Sequence, residues 1–231
     1  MAPGARLIQK LVLQTAMTAT AMAAPLFAAA GTLDWPSAWV WLGLSSGAGL
    51  AVNLWLAWAD PDLLTERMKA RPQREQKPWD KLFLGGMIVV AFAWIALMGV
   101  DARRFGWSHL PVAAQVAGAV LTVAGFLGIA WVYRTNSFAV AVIRMQPDRG
   151  QRVIDTGPYA FVRHPMYGFG FLPYIGIPLM LGSLWGLAAL PLIVAPLHLR
   201  TLGEEAMLRA ELDGYEAYAG RVRFRYAPGI W

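Results

Sequence analysis

Six apolar runs, each close to the length that crosses a bilayer, follow one another along the chain: 11–30, 37–59, 82–100, 111–133, 165–181 and one starting near 184. In hydrocarbon a backbone must satisfy its own N–H and C=O groups, and a helix of about 20 apolar residues does so. That requirement leaves few folds open. The expectation is an all-α integral membrane protein of about six transmembrane helices. Its last two runs are joined only by Gly182-Ser183, so they form a tight hairpin. A cytoplasmic amphipathic helix is expected to continue from the sixth run, over 201–222, because Leu208, Leu212, Tyr215 and Ala219 recur at helical spacing. The 57% share of hydrophobic residues, against 15% charged, fits a chain dissolved in lipid.

Charge gives the topology. Of the 20 lysines and arginines, only Arg103 and Arg104 fall in connectors on one side of this up-and-down path. The positive-inside rule then puts both termini in the cytoplasm, and a bacterial inner membrane is the expected location. The net charge of +6 is therefore a mark of topology, and the expected partner is the lipid bilayer, not nucleic acid. The chain has no cysteine, so it offers no disulfide, thiolate ligand or thiol nucleophile. Its three histidines, His109, His164 and His198, are scattered, with no HExxH. No metal site is expected.

The connectors differ in character. The first run, behind Arg6 and Lys10, reads as a retained helix because it is long for a signal peptide and a second span follows at once. Gly43 and Gly47 give the second run a small-residue face that allows close helix contact. The loop 60–81 holds Arg67, Lys69, Arg71, Arg74, Lys77 and Lys81, broken by Pro61, Pro72 and Pro78. It reads as a solvated cytoplasmic loop or as a cover for a charged ligand. Residues 1–81 then form an N-terminal membrane segment with a basic loop, and 82–231 the core that carries the chemistry. Residues 137–143 are apolar and read as a short interfacial helix or a re-entrant piece. Pro147-Asp148-Arg149-Gly150 reads as a turn. Pro191 and Pro196 should kink the sixth run, and the tail 223–231 is basic and aromatic. His198 reads as structural or pore-facing, and the tryptophans as an interfacial belt.

The stretch from Thr156 to Gly168 stands out. It places Tyr159, Arg163, His164 and Tyr167 at the edge of hydrocarbon, where polar groups are costly unless paired or used. An interfacial anchor explains Arg or Tyr alone, but it needs neither a fixed turn nor a histidine. Pro165 suits the first position of a helix. From Pro165 to the Gly182 turn is about 17 residues and from there to Glu204 about 21, so at 1.5 Å per residue the hairpin brings Arg163-His164 and Glu204-Glu205 to within roughly one turn in height. Two outcomes follow from that count. One is an ion pair of Arg163 with Glu204 or Glu205 that closes the hairpin. The other is a pocket offering carboxylate, guanidinium, imidazole and phenol to a zwitterionic, partly flat ligand. No GxGxxG, P-loop or strand pattern supports a Rossmann site.

The order Gly157-Pro158-Tyr159, Arg163-His164-Pro165-Met166-Tyr167-Gly168, Glu204-Glu205 before Leu208, then Tyr215 and Tyr218 resembles the isoprenylcysteine carboxyl methyltransferase and phospholipid methyltransferase superfamily. The resemblance covers residues 150–231. It implies an integral-membrane enzyme that uses S-adenosylmethionine without a Rossmann domain, bound at the cytoplasmic helix ends under a C-terminal cap. Carried over, Tyr159, Arg163, His164, Pro165, Tyr167, Gly168, Glu204, Glu205, Tyr215 and Tyr218 line the cofactor site. Arg163, His164 and Glu205 are the implied catalytic residues. Gly125 and Gly128 match, more loosely, a small-residue helix face set against the cofactor. The acceptor implied is hydrophobic or lipid-linked, either a carboxylate, isoprenylcysteine-like, or a phospholipid amine. The Gly-Thr-Gln of the eukaryotic carboxyl methyltransferases is absent from the fifth run. Membrane reductases of the sterol reductase type, which use NADPH, end in a similar basic-aromatic tail. They carry asparagine where Met166 stands and an acidic residue where Phe169 stands. A non-enzymatic membrane protein is the remaining alternative.

Overall fold

A computed structural model describes residues 3–69 and 76–229, with side chains from Arg6 onward. Arg71, Pro72 and Arg74 of the basic loop, and Ile230-Trp231 of the tail, lie outside the described residues. The path is all-helical: α1 (Pro3–Ala30), α2 (Pro36–Ala59), α3 (Pro61–Arg67), α4 (Pro78–Gly99), α5 (Val112–Thr135), α6 (Pro165–Leu181), α7 (Leu184–Ala188), α8 (Pro191–Glu211) and α9 (Tyr215–Arg221). Five stretches are long and apolar enough to cross a membrane, namely α1, α2, α4 with its π-helical end, α5, and α7 running into α8. α6, at 17 residues, is a shorter apolar helix.

Prolines open many of these helices. Pro36, Pro61, Pro78, Pro165 and Pro191 stand at or next to the first helical position, where the missing N–H would have had no helical partner. Gly31 and Gly182 close others with positive φ. Gly214 corrects one expectation. The amphipathic stretch 201–222 is two helices, because the chain turns at Gly214 (φ +83°) between α8 and α9. Residues 137–143 form no interfacial helix; they are an irregular loop. Proline shapes the sixth run more strongly than a kink, since α7 ends and α8 restarts at Pro191.

α5 and α6 make the tightest pair. A Cβ on Gly118 would lie 2.5 Å from the Gly176 carbonyl oxygen, one on Gly125 2.4 Å from Pro173, and one on Gly128 2.2 Å from the Phe169 ring. Membrane helices associate through such small residues because lipid supplies no hydrophobic drive between them. This overturns the looser glycine match: Gly125 and Gly128 face α6, not the site. Phe169 meets Gly128 early in α6 but well before the end of α5, so α6 starts about one turn deeper than α5 ends. At the opposite end, buried Asp101 accepts hydrogen bonds from the Ser108 and Ser183 hydroxyls (2.8 and 2.6 Å) and the Trp185 N–H. That clamp fixes the α6–α7 turn against the end of α4. The main apolar core packs Leu26, Trp41, Trp94, Met98 and Leu181 between α1, α2, α4 and α6.

Candidate functional site

The recessed start of α6 leaves a hollow at the basic end of the bundle. Its floor is the 157–168 stretch. Gly157 (φ +56°) starts a 3-10 turn over Gly157–Ala160, and His164 precedes α6. One side is α8, another is α9, and the outer wall is the loop 136–154. The hollow holds about 810 Å³ of non-atom space, part of it open to the surroundings.

The hairpin count is borne out. Glu205 is buried and accepts from Arg163 Nε at 2.7 Å, from His164 Nε2 at 3.1 Å and from Arg225 Nε at 3.0 Å. A carboxylate only accepts, so the His164 proton sits on Nε2 in this contact. Glu204, one position earlier, accepts from the Tyr167 hydroxyl at 3.0 Å. Both outcomes foreseen from the sequence are thus present, divided between neighbouring glutamates: Glu205 closes the ion pair and Glu204 lines the hollow.

Arg163 does more than pair with Glu205. Its Nη1 donates to the carbonyls of Val222 and Arg223 at 2.7 and 2.8 Å. The backbone N–H groups of Arg163 and His164 donate to Phe224 and Arg225. The C-terminal tail is therefore strapped across this stretch, and three of the five guanidinium donors are engaged by the protein. Gly168 serves the same strap: a Cβ there would come 2.2 Å from the Tyr226 carbonyl oxygen. His198 also serves it, through Nδ1 against the Tyr226 hydroxyl at 2.9 Å. Gly168 and Glu205 stand behind the wall, whereas Tyr159, Arg163, His164, Pro165, Tyr167, Glu204, Tyr215 and Tyr218 line the hollow.

The tyrosines divide in the same way. Tyr218 donates to the Tyr159 carbonyl at 2.9 Å, and the Tyr159 hydroxyl accepts from Asn136 at 2.8 Å. Tyr215 is buried, yet its hydroxyl has no protein partner, and neither has Arg144 Nε in the facing loop. Buried orphans of this kind are rare and mark a missing partner. Burial pushes the Tyr159, Tyr215 and Tyr218 phenols well above their ordinary range, and the nearby glutamate charges push Tyr215 further. They stay neutral donors at any physiological pH.

Sequence reasoning missed two groups. Arg200 lies one turn before Glu204 on α8; it donates to the Tyr167 hydroxyl at 2.6 Å, to Asp80 at 2.7 Å and to the Ala141 carbonyl at 2.9 Å. Its i, i+4 spacing to Glu204 was the available signal. The loop 136–154 was missed because its role comes from folding back over α8. A second, apolar cavity of about 2090 Å³ of non-atom space, also partly open, lies between α1, α4, α6 and α8. Arg200 lines its polar end, and Tyr167, bonded to Arg200, lines the first hollow.

No curated protein matches the chain. Residues 113–212 match the family described as phospholipid methyltransferase. The matched stretch runs from α5 through the end of α8, and so contains the 157–168 floor, Arg200 and both glutamates. Over residues 113–212 the chain is thus similar to the phospholipid methyltransferase family, which sits within the isoprenylcysteine carboxyl and phospholipid methyltransferase superfamily, and this similarity together with the long apolar helices points to a membrane methyltransferase.

Proposed function

We propose that the protein uses S-adenosylmethionine, bound in the hollow at the cytoplasmic end of its helices, to methylate a hydrophobic or lipid-linked acceptor. One observation carries this reading. A polar hollow with buried, unpartnered donors at Tyr215 and Arg144 adjoins, across the Tyr167–Arg200 contact, a large apolar cavity between the long apolar helices. The residues fit the cofactor: carboxylate at Glu204, guanidinium at Arg144, and phenol rings at Tyr159, Tyr167, Tyr215 and Tyr218 for a flat base and a cation. The bound cofactor supplies an electrophilic methyl group on a sulfonium.

The protein's own part is to bind, align and keep out water. Alignment of two reactants is worth roughly 7–11 kcal/mol, and an aromatic face near a cation about 0.5–2 kcal/mol. Glu204 accepts hydrogen bonds from ribose hydroxyls or the ligand amine, and the Tyr215 hydroxyl and Arg144 Nε donate. Arg163 and Glu205 act by fixing His164 and the tail strap, and Gly168 lets that strap close. A carboxylate acceptor, such as an isoprenylcysteine-like one, needs no base. A phospholipid amine must lose a proton, and His164, oriented by Glu205, is the proposed base. The hydrocarbon part of either acceptor is assigned to the apolar cavity.

Calorimetry on the purified protein in lipid nanodiscs tests the reading. S-adenosylmethionine or S-adenosylhomocysteine should bind, and Glu204→Ala protein that still folds should lose that binding. Binding of NADPH in their place would sink the proposal. Incubating membranes with a labelled methyl donor, followed by mass spectrometry of the lipids, then names the acceptor.

A further inference from the structure

Asp80 lies outside the hollow, at the start of α4, and outside the matched residues 113–212. It is fully buried. Its carboxylate accepts from Gln76 Nε2 at 2.9 Å, from the Ile143 N–H at 2.9 Å and from Arg200 Nε at 2.7 Å. Ile143 returns its carbonyl to the Lys77 N–H at 3.2 Å. Two of these three contacts run to two walls of the hollow. Ile143 belongs to the outer loop, and Arg200 holds both the Ala141 carbonyl of that loop and the Tyr167 hydroxyl. Tyr167 in turn donates to Glu204. The same loop is pinned again from the N-terminal half, by Arg67 on the Ala139 carbonyl and by Glu66 on Arg144, each at 2.7 Å.

We infer that Asp80 is a positioning residue for the methyltransferase site: it holds the outer loop closed and keeps the Arg200 guanidinium away from Glu204. The inference rests on the cofactor reading above. Its physical basis is charge. Removing the Asp80 carboxylate leaves a largely buried guanidinium without its counter-ion, and an uncompensated buried charge seeks the nearest anion. That anion is Glu204, one turn along α8 and already linked through Tyr167. Arg200 would then occupy the carboxylate that the cofactor needs, while the Ile143 N–H loses its acceptor and the loop loosens.

The test compares wild type, Asp80→Asn and the double variant Asp80→Asn/Arg200→Gln in nanodiscs, below the temperature at which any of them unfolds. Two quantities are read: calorimetric Kd for S-adenosylhomocysteine, and amide hydrogen exchange over 138–146 in the ligand-free protein. Asp80→Asn should weaken binding about tenfold or more, the loss of one charged hydrogen bond, and speed exchange over 138–146 while the centres of α5 and α6 stay protected. The double variant, which lacks the stray cation, should bind more tightly than Asp80→Asn, an improvement that damage to folding cannot give. Unchanged Kd with Asp80→Asn, or unchanged exchange in the loop, overturns the inference and leaves the cofactor reading standing. Wild-type protein that binds no S-adenosylhomocysteine overturns the cofactor reading and, with it, the positioning role.

Discussion

Replacing Tyr215 by Phe separates the stability of the fold from occupancy of the site. The ring packs among Val153, Leu208, Leu212 and Tyr218 and is 4% exposed; phenylalanine keeps all of that contact. What it removes is one hydroxyl with no protein partner. An unsatisfied buried polar group costs about 1–3 kcal/mol, so the ligand-free variant should be as stable as wild type, or more stable by up to about that amount. A ligand that accepts this hydroxyl recovers the same energy on binding. The variant should therefore bind S-adenosylhomocysteine more weakly by about 1–3 kcal/mol, roughly 5- to 150-fold in Kd. Denaturant unfolding of the ligand-free protein and calorimetric titration in nanodiscs measure the two quantities on one sample. Loss of more than about 1 kcal/mol of stability with unchanged Kd would refute the reasoning, because the hydroxyl would then serve the fold.

Two further outcomes follow from the same geometry. Glu205→Gln keeps the shape but leaves Arg163 and Arg225 without their shared carboxylate; it should cost about 3–5 kcal/mol and free the tail over 222–226 to proteolysis, whereas a change under about 1 kcal/mol would mean that the pair is not holding the strap. Alkaline pH should unfold the protein through Tyr159, Tyr215 and Tyr218, whose folded pKa values are raised by burial. A raised value means that their contribution is complete below the unfolded value of about 10 and is lost as pH climbs through the folded values. Ultraviolet titration should show these phenols ionising only as the fold gives way; smooth ionisation of every tyrosine near the ordinary value, with the fold intact, would contradict it.

Much of the site was legible because it depends on spacing along helices. The distance from Pro165 through a two-residue turn to Glu204-Glu205 fixes which residues share a level, and the structure brings Arg163 and His164 onto Glu205 and Tyr167 onto Glu204. The division between the two glutamates was not legible. Adjacent helical positions point about 100° apart, and which one meets the tail depends on how α6 and α8 are rotated. Gly125 and Gly128 were misread for a related reason. A small-residue face says that something approaches closely, and here the visitor is α6. The turn at Gly214 escaped because Leu208, Leu212 and Tyr215 keep helical spacing across it.

By itself, the sequence determined the all-helical membrane class, the basic end of the bundle and the level at which Arg163-His164 meets Glu204-Glu205. Those follow from backbone hydrogen bonding in hydrocarbon, charge bias and the 1.5 Å rise, all local properties of the chain. Only the tertiary structure decided that the tail crosses Arg163 and His164, that the loop 136–154 walls the hollow, and that Asp80 and Arg200 join the two halves. Asp80 and Arg200 are 120 positions apart in sequence. Their meeting is set by how α4 packs on α8, a matter of side-chain fit that no pattern along either helix records.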